Sequence, residues 1–146
     1  SKCVINVAKL IMFKINNKIN LILLIFNIIC LLYYSLQLLI FTNEFAINNI
    51  GFFNHAIAGL SEIIGIIFFC LAAGLAVIVF RGANNQLPLL ASVFLMQIII
   101  SLNFWRYVIT DNPGETSISI IMFNAFVFSL MSFSMLILII RLKRII

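Results

Sequence analysis

Two side chains of opposite charge lie inside long apolar stretches of this chain: Glu62 in the second stretch and Arg106 in the third. A charge in hydrocarbon is costly unless it is paired or hydrated, so such residues are candidates for a functional site. The first hypothesis is that Glu62 and Arg106 form an ion pair between two helices. The alternatives are a pocket around them that handles a ligand or protons, and an Arg106 that extends outward to the membrane surface by itself.

Uncharged polar residues accompany these two charges at a similar depth. At about 1.5 Å per residue, the polar residues lie roughly 5–10 Å below the same membrane surface, and all four apolar stretches contribute. This predicted polar layer consists of Glu62, Arg106, Asn103, Asn124, Tyr34 and Gln37. His55 and Asp111 are placed at its outer mouth, next to the membrane surface. Asn27 and Gln97 lie deeper and fall outside the layer.

The spacing of polar and small residues predicts which helix faces point into a bundle. On the first stretch, Asn20, Asn27 and Tyr34 recur every seven residues. On the second, a stripe of small residues that includes Ser61 and Gly65 is expected to carry Glu62 inward. On the third, Asn103 and Arg106 are expected to share the inward face, and on the fourth Asn124 aligns with Met131 and Met135.

The residue types needed for metal binding or catalysis are not assembled in this sequence. His55 is the single histidine, which excludes haem held by two histidines of this chain. The three cysteines lack the spacing of metal ligands, and no two acidic residues lie together within an apolar stretch. Because phosphate-binding loops and hydrolase motifs are also missing, we predict no metal and no cofactor, and we favour a non-catalytic protein over an enzyme.

Four membrane-spanning helices must position these residues. The apolar stretches cover about 19–41, 55–80, 88–110 and 117–140, and each reaches the about 20 residues that cross about 30 Å of hydrocarbon. The chain is 64% hydrophobic and 9% charged, whereas a soluble domain carries about 25% charged residues. The predicted fold class is all-α: a polytopic membrane protein with four transmembrane helices in an antiparallel bundle, embedded in a lipid bilayer. Nucleic-acid binding is excluded because no folded basic surface is present.

Residues 1–18 are predicted to form an N-terminal juxtamembrane segment, and residues 19–146 a single four-helix domain. The pattern over 2–14 is typical of an amphipathic helix that lies on an anionic leaflet with its lysines toward the lipid head groups. The alternative is that this segment continues toward the first spanning helix.

The connections predict how the spanning helices are arranged. The one at 42–54 is too apolar to lie free in water, so we expect it on the membrane or folded over the bundle. The connections at 81–87 and 111–116 are short and polar. We therefore expect the second, third and fourth helices to be sequential antiparallel neighbours.

The basic residues indicate the orientation of the bundle. The N-terminus, the 81–87 turn and the C-terminus together hold all the basic residues except Arg106. The positive-inside rule places these three segments on the cytoplasmic or matrix side. We predict a multi-pass protein of a bacterial or organellar inner membrane, with the polar layer near the opposite surface.

The runs NHAIAGLSEIIGIIFF at 54–69 and WRYVITDNPGE at 105–115 resemble the DoxX-like small four-helix membrane proteins and a neighbouring bacterial family of unknown function. His55 with the Ala/Gly-rich stretch after it matches the start of the second helix in those proteins. Arg106, followed shortly by an aspartate, matches the end of the third. The chain departs from the pattern where DNPGE interrupts the family's Asp-Gly, and where Asn124 replaces a frequent acidic residue. The resemblance implies an uncharacterised bundle or a small subunit associated with quinone-linked redox enzymes, and it carries over no catalytic residue.

Three functions stay open at this point, and the least favoured is an integral-membrane enzyme, for which the sequence offers no nucleophile and no set of metal ligands. A chain that lies almost wholly in the membrane favours a non-catalytic accessory or structural subunit that associates with other membrane-protein subunits of a larger complex. The alternative is a binder or transporter of a small molecule (a lipid, a quinone or an organic anion) in an outer-leaflet pocket around Glu62 and Arg106. The alternative requires that these two side chains line such a pocket.

Overall fold

The computed structural model describes residues 15 and 17–143, and every regular element in this part of the chain is helical. The helices are α1 (Lys18–Leu39), α2 (Thr42–Asn49), α3 (His55–Arg81), α4 (Leu87–Ile109) and α5 (Ile118–Lys143). All except α2 are long and apolar enough to cross a membrane, so the predicted four-helix membrane bundle is confirmed. The predicted amphipathic helix over 2–14 lies outside the described residues.

The helix ends follow local sequence signals. Asn17 and Asn54 stand just before α1 and α3, and their side-chain oxygens accept hydrogen bonds from the first-turn N–H groups of Ile19 (3.0 Å) and Ile57 (2.8 Å). Such N-caps satisfy donors that have no partner within the helix. Pro88 lies in the first turn of α4, where its missing N–H costs nothing. These signals explain why the helices begin close to the predicted positions.

The helices pack as two pairs that are joined through the middle. Helix α1 packs along α3, and α4 packs along α5, while α1 and α5 contact each other at the centre. The order across the bundle is therefore α3, α1, α5, α4. The expectation of sequential neighbours is right for α4 and α5. It is wrong for α3 and α4, which contact each other only sparingly although a short turn joins them.

The close approach of α3 to α1 depends on Gly65. A Cβ atom on Gly65 would lie 2.8 Å from Leu39 Cγ and 3.0 Å from Leu38 Cβ. The missing side chain also lets the Ser35 hydroxyl donate a hydrogen bond of 2.8 Å to the Gly65 carbonyl. Small residues allow this kind of backbone approach between membrane helices. Because Ser61 and Gly65 are both buried, the predicted small-residue stripe is confirmed for these positions.

Helices α3 and α4 meet near their shared turn and then diverge. A Cβ atom on Gly74 would lie 3.3 Å from Leu89 Cδ2, so the two helices are in contact there. Farther from the turn, Ile64 of α3 is 44% exposed and Ile99 of α4 is 62% exposed. The divergence leaves a gap between the two helices at the end of the bundle away from the turn.

The short helix α2 packs against α1, α3 and α5 at this same end of the bundle, which we call the α2 end. The Thr116 hydroxyl, in the connection before α5, donates a 2.8 Å hydrogen bond to the Asn48 carbonyl of α2. Gly51, with φ of 94°, lies so close to Glu115 that a Cβ atom on it would overlap that residue. Helix α2 is thus held against the α4–α5 connection, so of the two arrangements expected for residues 42–54, α2 has the one that folds over the bundle.

Candidate functional site: a cavity at the α2 end

A cavity of about 430 Å³ lies between α3 and α4 at the α2 end of the bundle. Helices α1 and α5 form its rear wall, α3 and α4 form its sides, and residues of α2 cover it. Most of the lining is apolar, with Phe68, Phe104 and Phe128 among the larger side chains. The cavity is present because α3 and α4 diverge at the end of the bundle where α2 packs across the other helices. We call it the α3/α4 cavity.

A chain of hydrogen bonds forms the polar part of its wall. The Tyr34 hydroxyl donates to Asn124 Oδ1 at 2.8 Å, and Asn124 Nδ2 donates to Asn49 Oδ1 at 2.7 Å. Asn49 Nδ2 in turn donates to the Phe45 carbonyl at 3.0 Å. The chain connects α1, α5 and α2, and Tyr34 and Asn124 are buried. We call it the Tyr34–Asn124–Asn49 chain, and it fixes polar groups at one side of an otherwise apolar space.

Asn103 adds an uncommitted amide to the cavity from α4. Asn103 lines the cavity and is exposed. Its side chain forms no hydrogen bond with any of the described residues. An amide side chain offers two N–H donors and one carbonyl acceptor. Asn103 can therefore bind a hydroxyl or a carbonyl group of a ligand without breaking any contact that holds the fold together.

A second cavity of about 340 Å³ lies across the Tyr34–Asn124–Asn49 chain from the first. Gln37 lines this second cavity and not the first, and both cavities share the side chains of the polar chain. The Tyr34–Asn124–Asn49 chain thus separates the two cavities beneath α2. The predicted polar layer is brought together for Tyr34, Asn124 and Asn103, and Gln37 faces its other side.

Glu62 and Arg106 are not part of this site. Both are exposed, neither lines the α3/α4 cavity, and in the described part of the chain no ion pair joins them. The guanidinium carbon of Arg106 instead lies 4.7 Å from the centre of the Tyr107 ring. The hypothesis of an ion pair is wrong, because the two residues lie on helices that scarcely touch and both point away from the bundle.

Two helix faces account for this correction. On α3, Ser61 is buried and Glu62 is exposed, because one residue along a helix is a rotation of about 100°. On α4, the expectation that Asn103 and Arg106 share the inward face is wrong for Arg106, because Asn103 lines the cavity and Arg106 is exposed outside the lining. The buried face of α4 carries Leu90, Val93, Gln97 and Ser101.

The two residues predicted at the outer mouth lie at the α2 end, outside the cavity lining. His55 is the exposed first residue of α3. Asp111 is exposed in the connection after α4, with φ of 48°. Among residues 15 and 17–143, no three His, Cys, Asp or Glu side chains are close enough to hold a metal ion.

A second polar cluster, nearer the middle of the bundle, was missed as a site. Asn27 Oδ1 accepts a 2.9 Å hydrogen bond from Gln97 Nε2, and Asn27 Nδ2 donates to Ser134 Oγ at 2.8 Å. Gln97 Oε1 is buried with no hydrogen-bond partner within the described ranges. The seven-residue spacing of Asn20, Asn27 and Tyr34 was the signal that could have indicated this cluster, since all three are buried.

Asn49 was also missed, because it belongs to the connection between the first two spanning helices. Nothing local in the sequence indicates that this residue reaches Asn124 of the last helix. Only the folding of α2 over the bundle brings the two amides together.

No family model, no curated protein and no solved structure matches this chain. The resemblance to DoxX-like proteins therefore stays a prediction.

Proposed function

We propose that this membrane protein binds a lipophilic small molecule in the α3/α4 cavity. The observation that carries the proposal is a largely apolar cavity of about 430 Å³ with the Tyr34–Asn124–Asn49 chain at one wall. Ligand sites of proteins are typically about 300–1,000 Å³, apolar, and equipped with a few polar groups that orient the ligand. The α3/α4 cavity has this size and this composition.

The polar groups that would orient the ligand differ from those expected from the sequence. Glu62 and Arg106 lie outside the lining, so an organic anion that binds to Arg106 has no support. The amides of Asn103 and Asn124 and the hydroxyl of Tyr34 take their place. These groups favour a ligand that forms hydrogen bonds without carrying a charge.

The orientation of the site in the membrane follows from the basic residues. We propose that the end with Arg81 and Arg141 lies on the cytoplasmic or matrix side of a bacterial or organellar inner membrane. The α2 end, with the cavity, then lies toward the opposite surface. A ligand in the cavity would be drawn from the outer half of the bilayer.

Native mass spectrometry of protein extracted in mild detergent tests the proposal. The wild-type chain is expected to retain one lipophilic molecule per cavity. Ile121→Trp, which fills the cavity from α5, is expected to abolish this adduct because Ile121 lines it. Leu102→Trp is the matched control, since Leu102 is exposed on α4 and lies outside the lining. An adduct that survives Ile121→Trp unchanged would refute binding in this cavity.

A second candidate function is that of an accessory subunit in a larger membrane complex, and Glu62 favours it. Its carboxylate is exposed within a membrane-spanning helix, next to the exposed apolar side chains of Ile63 and Ile66. A charge at such a position is costly when it faces lipid without a partner. A neighbouring subunit with a hydrogen-bond donor at this depth would remove the cost.

Native gel electrophoresis of solubilised membranes tests this second function. If the chain is a subunit held through Glu62, it migrates in a larger complex, and Glu62→Leu releases it while Glu115→Leu, a change in the exposed connection before α5, does not. Migration of the wild-type chain at the size of the protein alone would contradict the subunit role.

A further inference from the structure

We propose that the ligand is an uncharged lipid of the bilayer itself, which enters sideways through the gap between α3 and α4 and places its head on the amides of Asn103 and Asn124. This inference rests on the proposed function and adds the class of ligand and its route. Three features of the site support it: the position of the opening, the absence of charge in the lining, and the aromatic floor.

The opening of the cavity faces the hydrocarbon. Ile64 and Ile99 line the cavity and are also exposed on the outer surface of α3 and α4, so they form the rim of the opening. Helix α2 and the residue after it cover the cavity on the side of the membrane surface, because Phe45, Asn49 and Ile50 contribute to its lining. Helix α2 therefore lies over the cavity at this end, while the opening between α3 and α4 passes between two isoleucines.

The lining favours an uncharged head group. No Asp, Glu, Lys, Arg or His side chain of the described residues lines the cavity, and an unpaired charge in such a space carries a large desolvation penalty. Asn103 has its full amide free, and Asn124 uses only one N–H of its Nδ2 group in the polar chain. Hydroxyl and ester groups can satisfy these donors and acceptors, whereas a phosphate monoester would bring its charge without a counter-ion.

The floor of the cavity suits an acyl chain. Phe128 is 2% exposed, and its ring centre lies 4.9 Å from that of Tyr34, 6.0 Å from that of Phe104 and 6.3 Å from that of Phe68. These rings form one continuous apolar surface drawn from four helices. A chain that lies on this surface with its head at Asn124 would leave the cavity between Ile64 and Ile99.

Photolabelling with two matched lipids tests the inference. The protein is placed in phosphatidylcholine vesicles that contain diacylglycerol or phosphatidic acid, each with the same diazirine-bearing acyl chains, and the labelled residues are located by mass spectrometry. The expected result is that diacylglycerol labels cavity residues at least about tenfold more than phosphatidic acid, a difference of about 1.4 kcal/mol. Ile99→Trp at the rim and Asn103→Leu at the head site are each expected to lower this labelling several-fold. Ile63→Trp, an exposed position on α3 outside the lining, leaves it unchanged.

The outcomes separate this inference from the proposed function. Equal or stronger cavity labelling by phosphatidic acid would overturn the uncharged class while leaving cavity binding intact. Unchanged diacylglycerol labelling in Ile99→Trp would overturn the sideways route. If neither lipid labels the cavity while native mass spectrometry still finds an adduct that Ile121→Trp removes, the ligand is of another class and the inference fails alone. If that adduct is missing as well, the proposed function fails with it.

Discussion

Removing the hydroxyl of Tyr34 perturbs the polar wall of the cavity with the smallest possible change. Tyr34 is 3% exposed, and its hydroxyl donates to Asn124 Oδ1 at 2.8 Å. In Tyr34→Phe the ring stays packed against Phe128, so no large void opens. The lost hydrogen bond is worth about 0.6 kcal/mol on average between membrane helices, and up to about 1.7. Leaving a buried acceptor without a donor costs about 1–3 kcal/mol. We expect Tyr34→Phe to lower the free energy of unfolding by about 1–2 kcal/mol.

Tyr33→Phe is the matched control, because it makes the same chemical change one residue away. Tyr33 is 50% exposed, and its hydroxyl forms no hydrogen bond within the described residues. The change is therefore expected to stay within about 0.5 kcal/mol, as is usual for surface positions.

Unfolding by dodecyl sulfate in mixed micelles provides the assay. Trp105 is the single tryptophan, and its indole N–H donates to Ser129 Oγ of α5 at 2.9 Å. Its fluorescence therefore reports the separation of α4 from α5. If Tyr34→Phe costs no more than Tyr33→Phe, the hydrogen bond to Asn124 contributes nothing and the argument for a fixed polar wall is refuted.

Three further predictions concern the packing of the helices. Gly65→Ala is expected to lower the free energy of unfolding by about 1–3 kcal/mol through overpacking against α1. Gly59→Ala is the control, since a Cβ atom there meets nothing within 4 Å, and its effect on the free energy of unfolding should stay within about 0.5 kcal/mol. Equal effects of the two changes in the same assay would contradict the close approach of α3 to α1. Asn27→Leu leaves the Gln97 amide N–H without its acceptor and is expected to lower the free energy of unfolding by about 1–3 kcal/mol. An unchanged midpoint of unfolding would contradict this expectation. The effects of Glu62→Gln and Arg106→Gln on the free energy of unfolding are expected to add within about 0.5 kcal/mol in the double mutant. A larger departure from additivity would support the ion pair.

The four spans and the inward face of α1 could be predicted because they depend on local pattern alone. Length and apolarity decide whether a segment crosses the bilayer, and seven-residue spacing places Asn20, Asn27 and Tyr34 on one side whatever the neighbours are. All three are buried. The same local reasoning placed Tyr34 and Asn124 at one depth, where they form a hydrogen bond.

The wrong expectations concern which helix packs against which. Apolar side chains surround α3 almost completely, so its sequence does not distinguish the face of Ser61 from that of Glu62, and contact with α1 through Gly65 decides the rotation. On α4, the polar residues Ser92, Asn103 and Arg106 are exposed, whereas only Gln97 and Ser101 are buried, so the distribution of polar residues indicates the wrong face. The α3/α4 cavity depends on a separation between two consecutive helices, which no local pattern encodes.

Collision accessibility of a spin label in the cavity tests most directly whether the α3/α4 cavity is open to lipid and closed to water. After replacement of the three native cysteines, a nitroxide is attached at Ile121→Cys. Two labels serve as references: one at Leu102→Cys, which faces lipid, and one at Asn112→Cys, which is exposed in the α4–α5 connection. At position 121 we expect a collision rate with oxygen close to that at position 102, and a collision rate with a water-soluble nickel chelate far below that at position 112. A collision rate with the nickel chelate as high as at position 112 would mean a water-filled site. Low collision rates with both reagents would mean a sealed core, and either result would refute a cavity that is open to lipid and closed to water.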